Sequence, residues 1–403
     1  MNTAFKFFVR ALLLFTAISL WAQNPEKKTI LFGNYQREYL LYAPSQTYPA
    51  NLLTPKYSGV IVAIHGFNSS MDVFFDDYKI QTIADSLNYV IIAPQALPEQ
   101  DVSVNALATI LGIKLDAVWA CGLRVKTALF DKELNAKNID DVAFIGEIIW
   151  RTIQDFSIAT DNIFLVGTSM GGFMSYQYAM FQPVKVAGIV DIVGTMGLNI
   201  KGKDHPIATP MCIFHSVDDE VVPYTGSHTV SGQKVTLGEP LDSVVQYWVR
   251  VNGAGAPTSE TVANYPSSNG KTVEKTTYPN TDNEVIHYKI TGAQHSYFFR
   301  KESGDCMDYV EEIGRFIAAH SAPNVDNAEI APLRFEIYPN PAGDVIYSNL
   351  TDGTATVYDL SGRLVLTAQL RSGSLDVSSL KSGAYIVRLS YGNKIYTAKI
   401  LKK

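Results

Sequence analysis

The chain has 403 residues, 47% of them hydrophobic and 18% charged, with a formal net charge of −6 at pH 7. That is material for one large domain with a real core and a smaller companion. There is no basic block and no interleaving of aromatic and basic residues, which argues against a nucleic-acid partner.

Met1–Arg10 carries Lys6 and Arg10, Ala11–Ala22 is apolar apart from Thr16 and Ser19, and Gln23-Asn24-Pro25 turns polar. This reads as a secretory signal peptide, residues 1–22, cut near Ala22, its apolar run being too short to span a bilayer. No later run is long enough to do so, so the mature chain is expected to lack a transmembrane segment. "KTILF" and "REYLLYA", on either side of Gly33-Asn34, predict an antiparallel edge hairpin. Six strands follow, at 59–66, 89–95, 162–167, 186–194, 211–216 and 285–291. They are β-branched and almost continuously apolar, as strands buried on both faces of a parallel sheet are. Amphipathic stretches at 140–156 and 241–251 alternate with them, which predicts an α/β fold with a doubly wound, mostly parallel sheet.

Residues 96–138 read as irregular, without a clean strand, and so as a lid or binding wall. They hold Trp119, a candidate substrate contact and otherwise a packing residue under the loop. Residues 321–332 are a polar, Pro-containing linker. Beyond them, alternating apolar and polar residues with turns at Asp352-Gly353, Ser361-Gly362, Ser382-Gly383 and Gly392-Asn393 predict a small antiparallel β-sandwich. The expected layout is therefore a catalytic domain over 23–320 and a sandwich over 333–403. Only three cysteines occur, Cys121, Cys212 and Cys306. Cys212 lies in an apolar run and reads as a small core residue, while a Cys121–Cys306 pairing is left open.

The chemistry centres on "NIFLVGTSMGGFMSY", residues 162–176. Gly167-x-Ser169-x-Gly171 between a buried strand and a helix is the pattern of a nucleophile elbow. The serine needs a strained turn there, and its neighbours must lack Cβ so that strand and helix can approach. A hydroxyl is a poor nucleophile, so a base and an orienting carboxylate must accompany it, in this fold in the order Ser, acid, His. His295 follows the last buried strand and is the expected base. His215, His287 and His320 read as structural. Asp218 and Asp219 compete for the acid, with Asp191 third, and periodicity does not separate the adjacent pair. The loop after the strand at 59–64 supplies a second oxyanion donor, so the backbone amides of Phe67 and Met170 are the expected oxyanion hole. His65 orders that loop by hydrogen bonding. No His, Asp or Glu spacing suits a metal, and no cofactor is expected.

"IVAIHGFNSS", "NIDDVAFIGEIIW", "NIFLVGTSMGGFMSY", "HSVDDEVVPY", "SVVQYWVRVNGAG" and "KITGAQHSYF" occur in that order. Over roughly residues 30–320 the chain thereby resembles the secreted α/β-hydrolases that comprise polyhydroxybutyrate depolymerases and feruloyl or acetylxylan esterases. That family's His-Gly-x-x-Asp-x-x-Val-Pro-Tyr pattern, laid on His215–Tyr224, implies Asp219 as the acid. Two departures stand out: Gly253-Ala254 where the family often has a cysteine, and Ser296-Tyr297-Phe298 where it has Trp-Pro after the histidine. The second bears on pocket shape and makes Tyr297 a candidate substrate contact. The resemblance implies a serine esterase acting on feruloyl or acetyl esters of plant polysaccharide, with an aliphatic polyester or a peptide bond as alternatives. Substrate choice is expected to rest on residues 96–138 and 225–240. Residues 335–403, with "IYPNPAGDVIY" and "VYDLSGRLV", resemble the C-terminal sorting domain of the type IX secretion system of Bacteroidetes-type bacteria. This implies that export machinery as a partner and a secreted or surface location.

Overall fold

A computed structural model describes residues 24–45, 57–322 and 337–403, apart from short breaks at 111–112, 127–130, 136–138, 159, 199, 201–205, 231, 297, 349, 351, 372 and 392–393. The expected signal peptide, and the linker beyond Ala322, lie outside the described residues.

The chain opens with β1 (Glu26–Phe32) and β2 (Tyr35–Tyr42), the expected hairpin. Then come β3 (Gly59–Ile64), short helices α1 (Val73–Asp76) and α2 (Gln81–Leu87), β4 (Tyr89–Pro94) and α3 (Val102–Ile110). Next are β5 (Arg124–Lys126), β6 (Asp131–Glu133), α4 (Asp141–Phe156), β7 (Ile163–Thr168), α5 (Met170–Phe181), β8 (Gly188–Ile192) and β9 (Met211–Ser216). The hairpin β10 (Ser227–Val230) and β11 (Gln233–Thr236), α6 (Leu241–Val251), β12 (Thr258–Thr261), β13 (Thr272–Tyr278), β14 (Val285–Thr291) and α7 (Tyr309–His320) complete the domain.

Ten of these strands form one sheet in the order β1-β2-β4-β3-β7-β8-β9-β14-β13-β12. The six in the middle, β4 to β14, pair in parallel and are the six strands the sequence predicts. Their continuous apolar character has a direct cause. Along β3, Val60, Val62 and Ile64 enter one core while Ile61 and Ala63 enter the other. Successive side chains point to opposite faces, so a strand covered on both sides has no solvent-facing position left for a polar residue. Helices α4, α5 and α6 cover the first face, and α1, α2 and α7 the second. Among the described residues no helix is long and apolar enough to cross a membrane.

The chain winds from β3 out to β4 and returns to β7 on the other side of β3. The carboxyl ends of β3 and β7 therefore flank a topological switch point, where open α/β sheets leave a crevice.

Residues 96–138 depart from the irregular reading. They contain α3, and β5 and β6 pair with the β10–β11 hairpin in a four-stranded antiparallel sheet ordered β10-β11-β5-β6. The strands are only three and four residues long, too short for a period-2 pattern to declare itself. All three cysteines are free and buried, so Cys121 and Cys306 are not paired.

The tail consists of β15 (Ile337–Tyr338), β16 (Val345–Ser348), β17 (Asp352–Asp359), β18 (Leu364–Arg371), β19 (Ser374–Asp376), β20 (Gly383–Tyr391) and β21 (Lys394–Lys402). They pair antiparallel in the order β15-β16-β19-β18-β17-β20-β21. A bridge from Ala342 to Lys402 brings the two ends of that sheet together around Ile346, Val357, Leu375, Val387 and Ile400. Asp352-Gly353, read as a turn, instead begins β17, Gly353 at φ 125° beside the Ser390 carbonyl. The Ser361-Gly362 turn joins β17 to β18 as expected, and the Gly392-Asn393 turn lies outside the described residues.

Candidate active site

Ser169 stands between β7 and α5 with φ 53° and ψ −120°, a strained conformation for a residue with a side chain. Its amide donates to the Ile192 carbonyl at 2.8 Å, which pins the turn to the end of β8. The glycines around it answer a steric demand. A Cβ on Gly171 would lie 1.9 Å from the Ile64 carbonyl oxygen, and one on Gly167 would lie 2.2 Å from the Gly171 oxygen. Strand β3, strand β7 and the first turn of α5 meet too closely for any side chain at either position.

His295 lies past the end of β14. Its Nδ1–H donates to Asp219 Oδ2 at 2.7 Å, and its Nε2 accepts from the Ser169 hydroxyl at 2.9 Å. The carboxylate can only accept, which fixes the proton on Nδ1 and leaves Nε2 free to take one. Asp219 is fully buried. Its Oδ1 accepts from the amides of Val221 and Val222 at 2.9 and 2.8 Å, so both oxygens have partners.

Asp218 turns the other way. Its Oδ2 accepts from the Gly292 amide at 2.6 Å, tying the loop that carries Asp219 to the loop that carries His295. Ser216 makes a second tie by donating to the Ala293 carbonyl at 2.7 Å. Asp191 sits in the core, accepting from the Tyr176 hydroxyl at 3.0 Å and the Gly194 amide at 2.9 Å. Burial pushes its carboxyl up to about 7 in spite of those bonds. A Cβ on Gly172 or Gly194 would collide with its Oδ1, so Asp191 braces the back of the elbow.

The loop after β3 packs directly on the serine, a Cβ on Gly66 falling 3.2 Å from that of Ser169. Among the described residues neither the Phe67 nor the Met170 amide donates to a protein acceptor. The Met170 amide opens α5, where the helix dipole adds partial positive charge. His65 orders this loop: its Nδ1–H donates to the Gly66 carbonyl at 2.7 Å, and its Nε2 accepts from the Ala96 amide at 3.1 Å. Trp119 corrects the reading of it as a substrate contact. Its side chain is wholly buried, and its indole N–H donates to the His65 carbonyl at 2.8 Å. It is the packing residue beneath the loop after β3. Tyr297 lies outside the described residues. His215 donates through Nε2 to the Val222 carbonyl and lies 3.7 Å from Asp219 Oδ2, His320 pairs with Glu284, and His287 is buried in the sheet.

Burial lowers His65 to about 4, and does the same to His287. An unfolded histidine titrates near 6.5, so between those values the unfolded chain binds protons that the folded chain refuses. The stability each contributes is complete above about pH 6.5 and is lost as the pH falls through about 4, by on the order of 3 kcal/mol for His65. Substituting His65→Gln is expected to flatten the acid side of a plot of denaturation midpoint against pH. An unchanged slope between pH 6.5 and 4 would contradict this.

A cleft of about 280 Å³ opens beside Ser169. Residues 96–138 contribute Val104, Ala108, Ile113, Leu115, Leu123 and Leu134 to it, and the β10–β11 region contributes Leu237. Sequence reasoning assigns specificity to these segments without finding the residues. Their spacing follows the cleft wall and not one helical or strand period, so only their apolar character is visible in the sequence.

A serine raised on a strained elbow, a histidine bonded to it and to a buried aspartate, and two open amides define a serine hydrolase geometry on an α/β-hydrolase sheet. Residues 117–241 match the family model described as phospholipase/carboxylesterase, and residues 336–403 match that described as secretion system C-terminal sorting domain. The chain thus joins a carboxylesterase-type α/β-hydrolase domain to a type IX sorting domain. No curated protein matches it. Among solved structures, it is similar to an acetyl xylan esterase from Aspergillus awamori, with TM-score 0.47 and 15% identity over 73% of this chain and 99% of that one. It is also similar to an S-formylglutathione hydrolase from Agrobacterium tumefaciens, with TM-score 0.45 and 12% identity over 74% and 95%. A fluorophosphonate-binding serine hydrolase from Staphylococcus aureus gives TM-score 0.41 and 12% identity over 75% and 100%.

Proposed function

We propose that the protein is an exported carboxylic-ester hydrolase that works through an acyl-enzyme on Ser169. The observation that supports this most is the unbroken chain of hydrogen bonds from Asp219 through His295 to the Ser169 hydroxyl. Ser169 Oγ attacks the ester carbonyl carbon as its proton passes to His295 Nε2. The carbonyl oxygen becomes an oxyanion held by the Phe67 and Met170 amides. Asp219 stays ionised, keeps the imidazole in the required tautomer and stabilises the imidazolium. Collapse breaks the bond to the alcohol oxygen, which leaves with the proton from Nε2. Water then repeats the sequence on the acyl-enzyme, freeing the acid and restoring the serine.

The sorting domain at the C-terminus and the signal peptide read at the N-terminus both support action outside the cell, on an ester the cell does not import. Feruloyl and acetyl esters of plant polysaccharide are the first substrates to try, and an aliphatic polyester the second. Purified protein is expected to hydrolyse para-nitrophenyl butyrate, and a parallel assay on methyl ferulate, acetylated xylan and polyhydroxybutyrate ranks the natural esters. A folded protein inert toward every ester but active on peptides would replace this reading with that of a serine peptidase.

A further inference from the structure

We infer that the cleft beside Ser169 takes the acyl half of the ester, and that it is built for bare hydrocarbon acyl groups and against hydroxylated ones. The inference rests on the ester-hydrolase reading above and departs from the substrates named there, favouring longer unhydroxylated acyl groups over feruloyl and acetyl.

Which half enters is decided by the proton. The departing alcohol oxygen must receive it from His295 Nε2, so the alcohol leaves on the histidine side. Among the described residues, neither His295 nor its loop lines the cleft, whereas Phe67, Met170 and Phe173 do. With the carbonyl oxygen against the Phe67 and Met170 amides, the chain on the far side of the carbonyl carbon points into the cleft. The alcohol, a sugar or another, stays outside.

What the cleft accepts is decided by its walls. Ser169 is the single polar residue among the described ones that line it. Val104, Ala108, Leu115 and Leu134 are buried and close the floor. Phe67, Ile113 and Val221 stand at the mouth with 39%, 47% and 54% of their surface exposed. Large apolar side chains left in water at the rim of an apolar cleft are not explained by core packing; they extend the surface along which an acyl chain is desolvated. At roughly 30 Å³ for each water-sized group, the volume holds a chain of about six to ten carbons, well beyond acetyl. A hydroxyl carried onto such walls gives up its bonds to water and finds no partner, a loss of about tenfold or more in kcat/KM. The phenol of a feruloyl group and the hydroxyl of a hydroxyalkanoyl end group both fall under that penalty.

The test uses the full chain and two ester series. With para-nitrophenyl esters from acetate to laurate, kcat/KM is expected to rise about fourfold for each added methylene, peak between hexanoate and decanoate, and then fall. With methyl cinnamate, methyl para-coumarate and methyl ferulate, the unhydroxylated cinnamate should exceed the other two at least tenfold. Ala108→Phe, which fills the floor, should move the peak to shorter chains. A peak at acetate, equal rates on cinnamate and coumarate, or an unmoved peak in a folded Ala108→Phe protein would each overturn the inference while leaving the esterase reading intact. Failure on every ester would overturn both.

Discussion

Replacing Ser169 with alanine is expected to lower kcat on any ester by a factor on the order of a million. In the proposed mechanism the hydroxyl is the atom that forms the acyl bond, and no neighbour can substitute for it. The other groups proposed to meet the substrate, the amides of Phe67 and Met170, can polarise a carbonyl but cannot attack it. What remains is the residual catalysis of an intact oxyanion hole and binding cleft, about a thousandfold or more over water. Stability should hardly move. Alanine keeps the Cβ and therefore the strain at φ 53°, and the Ser169 amide keeps its bond to the Ile192 carbonyl. Single-turnover and steady-state rates on a para-nitrophenyl ester, beside a thermal denaturation curve, separate loss of the nucleophile from loss of the fold. Activity equal to that of the unaltered protein would remove Ser169 from the mechanism.

The elbow behind that prediction is legible in the amino-acid sequence, and so is the sheet that carries it. The parallel strands can be read because burial on both faces strips them of polar residues, as β3 and β7 show. The glycines around Ser169 can be read because a close approach of β3 and α5 admits no other residue. Strands β12 and β13 leave no such trace because they extend the sheet at its edge: "TSET" is exposed throughout and "TVEKTTY" buries one residue. Trp119 shows a different limit. A tryptophan in a long loop looks the same in sequence whether its ring faces substrate or its N–H faces a carbonyl, here that of His65, 54 residues away along the chain. The wall of the cleft beside Ser169 is hidden for the same reason, being assembled from α3, the loop after it, the β5–β6 region and Leu237.

The pair Asp218 and Asp219 gives the sharpest case and the second large effect. Asp219→Asn is expected to reduce kcat about ten-thousand-fold, and Asp218→Asn less than about threefold. Among the described residues Asp219 faces donors only: His295 Nδ1–H on one oxygen, with His215 Nε2 3.7 Å away from it, and the Val221 and Val222 amides on the other. An asparagine brings one NH₂ group, and either orientation sets it against a donor. Facing His295, it drives the ring to the tautomer with the proton on Nε2, which cannot accept from Ser169. Facing Val221 and Val222, it breaks the turn that aims the side chain, and the imidazolium loses its counter-charge as well. Among the described residues the Asp218 carboxylate has one partner, the Gly292 amide, and an asparagine oxygen still accepts from it. Adjacent residues of the same type thus differ because the loop after β14 reaches them differently: His295 presents an imidazole to one and Gly292 a peptide N–H to the other. KM should change little in either variant, since neither carboxylate lines the cleft. A greater loss of kcat at Asp218 would reverse the assignment, and equal losses would mean that the tie to Gly292 positions His295 as much as Asp219 does.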